Sequence, residues 1–470
     1  MMKHVQKHRL LYAVLIAAII ARLVFLFDYH EIWWDSGVYF GMAKYLWSGG
    51  SAGLWEHIRP VLWPAILGVA WWLKLNMVVL ARALEFLLVP VSTVLVYFLG
   101  RKWFSQRAAA LACIVWAFSG IVFYLGFHEY TELPAATLVL AGLLAFAHKR
   151  SFWAGVLVSL AFLMKFPAGI FIVALGLSLL AQRKWKALVP LGAGFAIPAA
   201  AFLLFNFFLY GSFLSPFIAA RETILQVLGC NVLHYKPWWQ YFAWLWEENR
   251  LHAFGLLGIG ALALRWRKNI PQLLALIVPV AYFMQLHCRE YRYLVLFLPM
   301  IALTTAHGIA LVSERLEKHK SFRKRAWTAI VLLVFALSAF HGTLYYIGNE
   351  ARTPDIAAER YFHWLENKQI DGEIWSANPV VSAHTDRLIH KIYYPVYAHG
   401  TATDFNAYLR GNKNRIGAVL LDNCGGGIIC PPDDAQCASE LASMRAFLNE
   451  NFKQVFFEQS GRCWYAVYTH

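Results

Sequence analysis

The sequence predicts a mainly α-helical, polytopic membrane protein with a small α/β domain at its C-terminal end. Three observations predict it. Of the 470 residues, 59% are apolar and 15% are charged, against about 25% charged in soluble domains. Apolar runs near bilayer-spanning length recur from Leu10 to about residue 347,. Beyond residue 348 the runs shorten, and Asp, Asn, Gly and Pro return. The net charge of +15 then reads as cytoplasmic loop charge, not as a nucleic-acid surface. The sequence shows no Gly-rich phosphate loop, zinc-finger spacing or long basic tail, so no nucleic-acid partner is expected.

Taken in order, the chain opens on a short basic segment, Met1 to Arg9. The apolar stretch Leu10 to Phe27 lacks a small-residue cleavage site and predicts an uncleaved first helix,. Further runs fall at 78–99, 107–126, 130–147, 152–165, 167–181, 186–209, 251–265, 270–287, 292–312 and 327–347. A shorter Trp-rich run spans 61–73, and counting decides its status. Put the basic N-terminus inside. The clusters at Arg101, Lys149, Arg183, Arg265 and Arg315–Arg325 are then all cytoplasmic only if 61–73 does not cross,. That run is therefore expected at the interface, within the first outer loop. The expectation is about eleven spans in a cell membrane, with a cytoplasmic N-terminus and an extracytoplasmic C-terminal domain. Residues 1–348 form the expected membrane domain and 349–470 the soluble one.

In the soluble part, Thr353–Asn367 and Ala438–Asn451 read as helices. Gly417–Asp422, Lys453–Glu458 and Cys463–Thr469 read as strands,. Cys424, Cys430, Cys437 and Cys463 lie here, where an outside location permits disulfides,. Their connectivity is not readable from sequence. A zinc site is the competing reading, but no CxxC pair is present,.

On this topology, the acidic, basic and aromatic clusters gather at the outer face. Asp35 stands in the first loop between apolar segments, where a carboxylate is a functional candidate by default,. It can also start the helix that follows. Glu31 is a supporting loop residue. In Glu56-His57-Ile58-Arg59-Pro60, Arg59 suits either an anionic phosphate or the lipid headgroups,. His128-Glu129-Tyr130-Thr131-Glu132 opens the fourth span, and its acids also suit a helix N-terminus,. His57, His128, Glu129 and Glu132 form a possible divalent-metal set; no other cofactor is expected. Lys165 interrupts an apolar stretch and needs an anionic partner, or snorkels,. Arg289 and Arg292 suit phosphate oxygens, or an internal network with Glu290,. Arg82 and Glu85 orient the site or pair with each other.

These residues carry a resemblance. The chain resembles the GT-C class of membrane glycosyltransferases, within it the protein O-mannosyltransferase and lipid A aminoarabinose transferase superfamily. The shared features are Asp35-Ser-Gly-Val-Tyr39, Arg59-Pro60-Val-Leu-Trp-Pro64, Ala81-Arg82, Glu132-Leu-Pro134 and Arg292-Tyr-Leu-Val-Leu-Phe-Leu-Pro299. The resemblance covers about residues 10–345. The chain departs from the family at Ser36 (often Glu), Val61 (usually a second Pro) and Glu132 (frequently Asp). The resemblance implies a polyprenyl-phosphate sugar donor, a hydroxyl acceptor on protein, glycan or lipid, and inversion at the anomeric carbon. It implies Asp35 as base, Glu132 as the second acidic residue, and Arg59 and Arg292 as phosphate contacts. Lys165 and Arg289 are further phosphate candidates; Glu31, His57, Arg82 and Glu129 support them. An anionic leaving group asks for cations more than for an acid, and an acceptor hydroxyl asks for a base.

Two other functions remain open at this level. An oligosaccharyl transferase or glycan ligase shares the membrane class. A lipid or polysaccharide transporter predicts inverted repeats and broken spans.

Overall fold

The computed structural model describes residues 2–222, 236–286, 289–317, 323–350, 355–392, 401–423, 430 and 435–470. Contacts divide the chain into two units. The first comprises Met1–His30, Arg82–Phe213 and His234–Ala351; the second comprises Glu31–Ala81, Leu214–Leu233 and Arg352–His470.

The first unit is helical. Among the described residues, five helices are long and apolar enough to cross a membrane: His8–Phe25, Met77–Trp103, Trp185–Tyr210, Tyr291–Leu316 and Ala326–Asn349. The other six runs expected to span appear as shorter apolar helices, such as Glu132–Ala147 and Ser151–Met164. A 14-residue helix such as Ser151–Met164 is about 21 Å long, short of a hydrocarbon core of about 30 Å. Length alone therefore supports five spans where eleven were expected. The run expected at 107–126 is broken for a visible reason. Gln106–Ala117 ends at Phe118, and Ser119 starts a new short helix, Gly120–Leu125. The Ser119 hydroxyl and the Ile121 amide both donate to the Glu248 carboxylate. Leu62–Trp72, expected not to cross, is an 11-residue helix of the second unit.

The long helix Leu294–Leu316 forms the middle of the first unit. It packs on Gln106–Ala117, Gly255–Ala263 and Glu132–Ala147. Ser151–Met164 and Trp185–Tyr210 approach until their backbones nearly touch. A Cβ on Gly155 would stand 2.2 Å from the Leu191 carbonyl oxygen, and one on Gly194 2.1 Å from that of Phe152. Small residues allow this contact between membrane helices. Gly155→Val should force the pair apart, at a cost of about 1–3 kcal/mol. Thermal melting of the detergent-solubilised protein checks this: an unchanged midpoint would mean the helices do not pack so closely.

The second unit is built on a five-stranded sheet of order β2-β1-β3-β5-β4. The strands are β1 Glu373–Ser376, β2 Ile389–Lys391, β3 Ile416–Asp422, β4 Lys453–Ser460 and β5 Cys463–Thr469. The first three run parallel, and β5 is antiparallel to both β3 and β4. Side chains alternate between two cores, as pleating requires. Ile374, Ala418, Leu420, Tyr465 and Val467 face one core; Val419, Leu421, Ala466 and Tyr468 face the other.

The sequence reading anticipated β3, β4, β5 and the helices Ile356–Glu366 and Ala435–Asn451, but not β1, β2 or Thr401–Gly411. β1 and β2 are four and three residues long, too short to show a period. Cys430 and Cys437 form a disulfide, and Cys463 is also disulfide-bonded. Cys424 lies outside the described residues.

The first core also takes in the first loop. Val38, Met42 and Leu54 are buried together with Tyr361, Leu365, Val381 and Ile389. The Ser382 hydroxyl donates to the Gly37 carbonyl at 2.6 Å. Lys44 Nζ donates to the Thr385 carbonyl at 2.8 Å and lies 3.0 Å from Asp386 Oδ1. Gly53 adds a parallel rung beside Leu388 at the free edge of β2. The helix that bears Asp35 is thus held by the C-terminal sheet.

Candidate active site

In the second unit, the helix Trp34–Trp47 starts after Trp33, which makes no side-chain cap. Asp35 therefore lies in the first turn and does not cap it. An acid there suits the helix dipole. The residue is 6% exposed. Its Oδ1 accepts from Arg59 Nη2 at 2.7 Å, and Arg59 Nε donates to Glu56 Oε2 at 3.1 Å. One guanidinium thus bridges two carboxylates, a geometry its planar fork allows. Arg59 also stands 5.8 Å from the Tyr39 ring centroid. Burial and the Lys391 ammonium hold His57 below the usual imidazole range, against the pull of Glu56. Glu31 is exposed and acts electrostatically on Tyr465.

In the first unit, Glu132 begins the helix Glu132–Ala147 and is fully buried. Its Oε1 is 2.7 Å from Lys165 Nζ and 3.4 Å from Arg292 Nε. Arg292 also pairs with Glu290, and its guanidinium stands 5.2 Å from the Tyr130 ring centroid. Lys165 lies 5.2 Å from the centroid of Tyr293. Lys165 ends its helix in an extended conformation, so the ammonium at the break meets a carboxylate at a helix start. A buried lysine with this partner satisfies the need read from the sequence.

The remaining candidates of this unit have other partners. Arg82 Nε donates to Glu129 Oε1 at 2.8 Å and Nη2 donates to the His30 carbonyl at 2.8 Å. Arg82 is thus held by Glu129, and Glu85 takes a different partner: its Oε1 accepts from the Tyr130 amide at 2.9 Å. The Arg289 guanidinium is held by the backbone carbonyls of Lys236 and Met284. His128 is fully buried, with its ring 4.1 Å from Tyr124 and 5.5 Å from Tyr130.

Among the described residues, no three His, Cys, Asp or Glu side chains gather as a metal site. Of the four candidate ligands, Glu129 and Glu132 are committed to cations, and His57 belongs to the other unit.

Three participants were not singled out by sequence reasoning. Glu56 precedes Arg59 by three residues, and the turn between them, closed by the Arg59 amide on the Glu56 carbonyl, brings the pair together. Lys391 ends a strand too short to recognise. Glu248 accepts from Ser119, Ile121 and Tyr291; its only signal was an acid at the end of a Trp-containing helix.

The fold can be compared with solved structures. The chain aligns with ArnT from Cupriavidus metallidurans bound to undecaprenyl phosphate at a TM-score of 0.64 and 12% identity, covering 98% of both chains. The fold is that of the GT-C membrane glycosyltransferases. The oligosaccharyltransferase of Archaeoglobus fulgidus, tethered to an acceptor peptide with an NVT sequon, aligns at 0.61 with 14% identity. That match covers 89% of this chain and 69% of the other. AglB from the same organism, with an inhibitory peptide and a dolichol-phosphate, aligns at 0.60 with 14% identity, over 88% and 69%. Residues 59–210 match the family model of dolichyl-phosphate-mannose-protein mannosyltransferases. No curated protein matches in sequence.

Proposed function

We propose that this chain is a membrane glycosyltransferase. It moves a sugar from a polyprenyl-phosphate donor to a hydroxyl on a protein, glycan or lipid acceptor, with inversion. The observation that carries this reading is the fold shared over 98% of both chains with a protein solved with undecaprenyl phosphate. The match of residues 59–210 to the mannosyltransferase model supports it.

On this reading, Asp35 accepts the acceptor hydroxyl proton as the oxygen attacks the anomeric carbon, and the C–O bond to phosphate breaks. Arg59 orients Asp35. Lys165 and Arg292 offset the charge on the departing lipid phosphate, with Glu132 holding the two cations in place. Charge stabilisation by preset cations is worth most where water is excluded. Arg82, fixed by Glu129, supports this group. Arg289 is assigned to bracing the loop by its two carbonyl contacts. No cofactor is assigned. This reading puts the N-terminus in the cytoplasm and residues 349–470 outside.

Two experiments test this. Membranes carrying the protein are incubated with a panel of labelled polyprenyl-phosphate sugars, and the moved label is traced. Failure of every sugar, with transfer from a pyrophosphate-linked glycan instead, would favour an oligosaccharyl transferase, which the likeness to the Archaeoglobus enzyme also supports. For topology, Gln106→Cys and Lys413→Cys should label from opposite sides of the membrane. Labelling from one side would overturn the orientation.

A further inference from the structure

The C-terminal sheet also meets the first loop at Gly53. Gly53 N donates to the Arg387 carbonyl at 2.9 Å, and Ile389 N donates to the Gly53 carbonyl at 2.7 Å. These two bonds fix a parallel rung between Gly53 and Leu388. Glu56 and Lys391 each stand three residues beyond that rung, close enough for the Glu56 carboxylate to act on the Lys391 ammonium. The pleat gives the face. Ile389 points into the core that holds Val38, Met42 and Leu54, while His390 stacks on Trp375 toward the other side. Lys391, two residues beyond Ile389, returns to the face of the Asp35 helix. The Ile392 amide bonds the Ser376 carbonyl at 2.9 Å and anchors the strand end. The electrostatics agree: burial lowers the Lys391 ammonium from its ordinary range, with Glu56 opposing and Arg59 reinforcing that shift.

Glu56 is fully buried, and Arg59 is divided between Glu56 and Asp35. A buried carboxylate needs cationic compensation. With one arginine as the sole source, Glu56 would draw both arms of the guanidinium to itself. We propose that Lys391 is a positioning residue of the candidate active site: its ammonium compensates Glu56, so that Arg59 keeps an arm for Asp35. The C-terminal domain thereby takes part in setting the base. This rests on the reading of Asp35 as the base.

The test uses the full chain and needs no substrate for its first arm. Structures of Lys391→Gln, Lys391→Arg and Lys391→Gln/Glu56→Gln are determined by cryo-electron microscopy. In Lys391→Gln, Arg59 should turn onto Glu56, and the 2.7 Å contact with Asp35 should open beyond hydrogen-bonding distance. It should return in Lys391→Arg and in the double variant, where the demand for charge is gone. Retention of the contact in Lys391→Gln overturns the proposal. Misfolding of Lys391→Gln alone, relieved in the double variant, supports charge compensation. Misfolding of both alike assigns Lys391 to packing and overturns it.

The second arm is transfer from the donor identified in the panel. Lys391→Gln should lose about 100-fold in kcat, the scale of a misplaced catalytic group, with KM for the donor unchanged. The double variant should recover most of that loss. Full activity in Lys391→Gln beside an inactive Asp35→Asn would reject this inference alone. Full activity in Asp35→Asn would reject the base assignment and leave the structural arm standing.

Discussion

Asp35→Asn is expected to lower transfer by about 10²–10⁴-fold, the range for loss of a general base. The substitution removes the proton acceptor and keeps the size of the side chain. The amide oxygen still accepts from Arg59, and the helix Trp34–Trp47 stays anchored through Ser382 and Gly53. The loss should therefore fall on kcat, with the melting temperature and donor KM close to those of the parent. That pattern separates a chemical role from a packing role. Near-normal turnover in the purified variant would move the base elsewhere, and Glu132 would be the next carboxylate to test.

Much of the fold was legible because membrane helices write long apolar runs. Five expected spans, near 10–27, 78–99, 186–209, 292–312 and 327–347, each meet a long helix. The run at 107–126 misled because hydropathy does not register a helix break. The break at Phe118–Ser119 depends on a carboxylate from Glu248, more than 120 residues away in sequence,. β1 and β2 were illegible since three or four residues cannot show a period of two over several repeats. They become strands by pairing with β3, a contact set by tertiary structure.

The same division holds for the site. Asp35, Arg59, Glu132, Lys165 and Arg292 stood out because a charge between apolar runs is conspicuous. Their partners were less readable. Lys165 with Glu132, and Arg82 with Glu129, join residues 33 and 47 positions apart, in different segments of the chain. Sequence chemistry suggests that such charges need partners, and only the folded chain chooses among the candidates. Lys391 was invisible for a related reason: nothing in Ile-His-Lys marks it until the Gly53 rung brings β2 beside the first loop.

Lys165→Met is expected to destabilise the protein by about 3–5 kcal/mol, because it strips a buried carboxylate of its nearest cation. Lys165 Nζ lies 2.7 Å from Glu132 Oε1, and the second cation, Arg292, is farther at 3.4 Å and shared with Glu290. Glu132→Leu alone should also destabilise, since it leaves the Lys165 ammonium buried at the helix break. The double variant Lys165→Met/Glu132→Leu is the informative one. Replacing a buried pair by apolar groups of similar size is often neutral or stabilising. Melting in detergent should then return toward the parent value. If the pair serves only packing, transfer returns with it. If Lys165 offsets the phosphate charge and Glu132 holds it there, a stable double variant stays deficient in transfer. The melt and the transfer rate, measured on the same preparation, separate the two cases. A double variant both stable and fully active would leave the departing phosphate to Arg292.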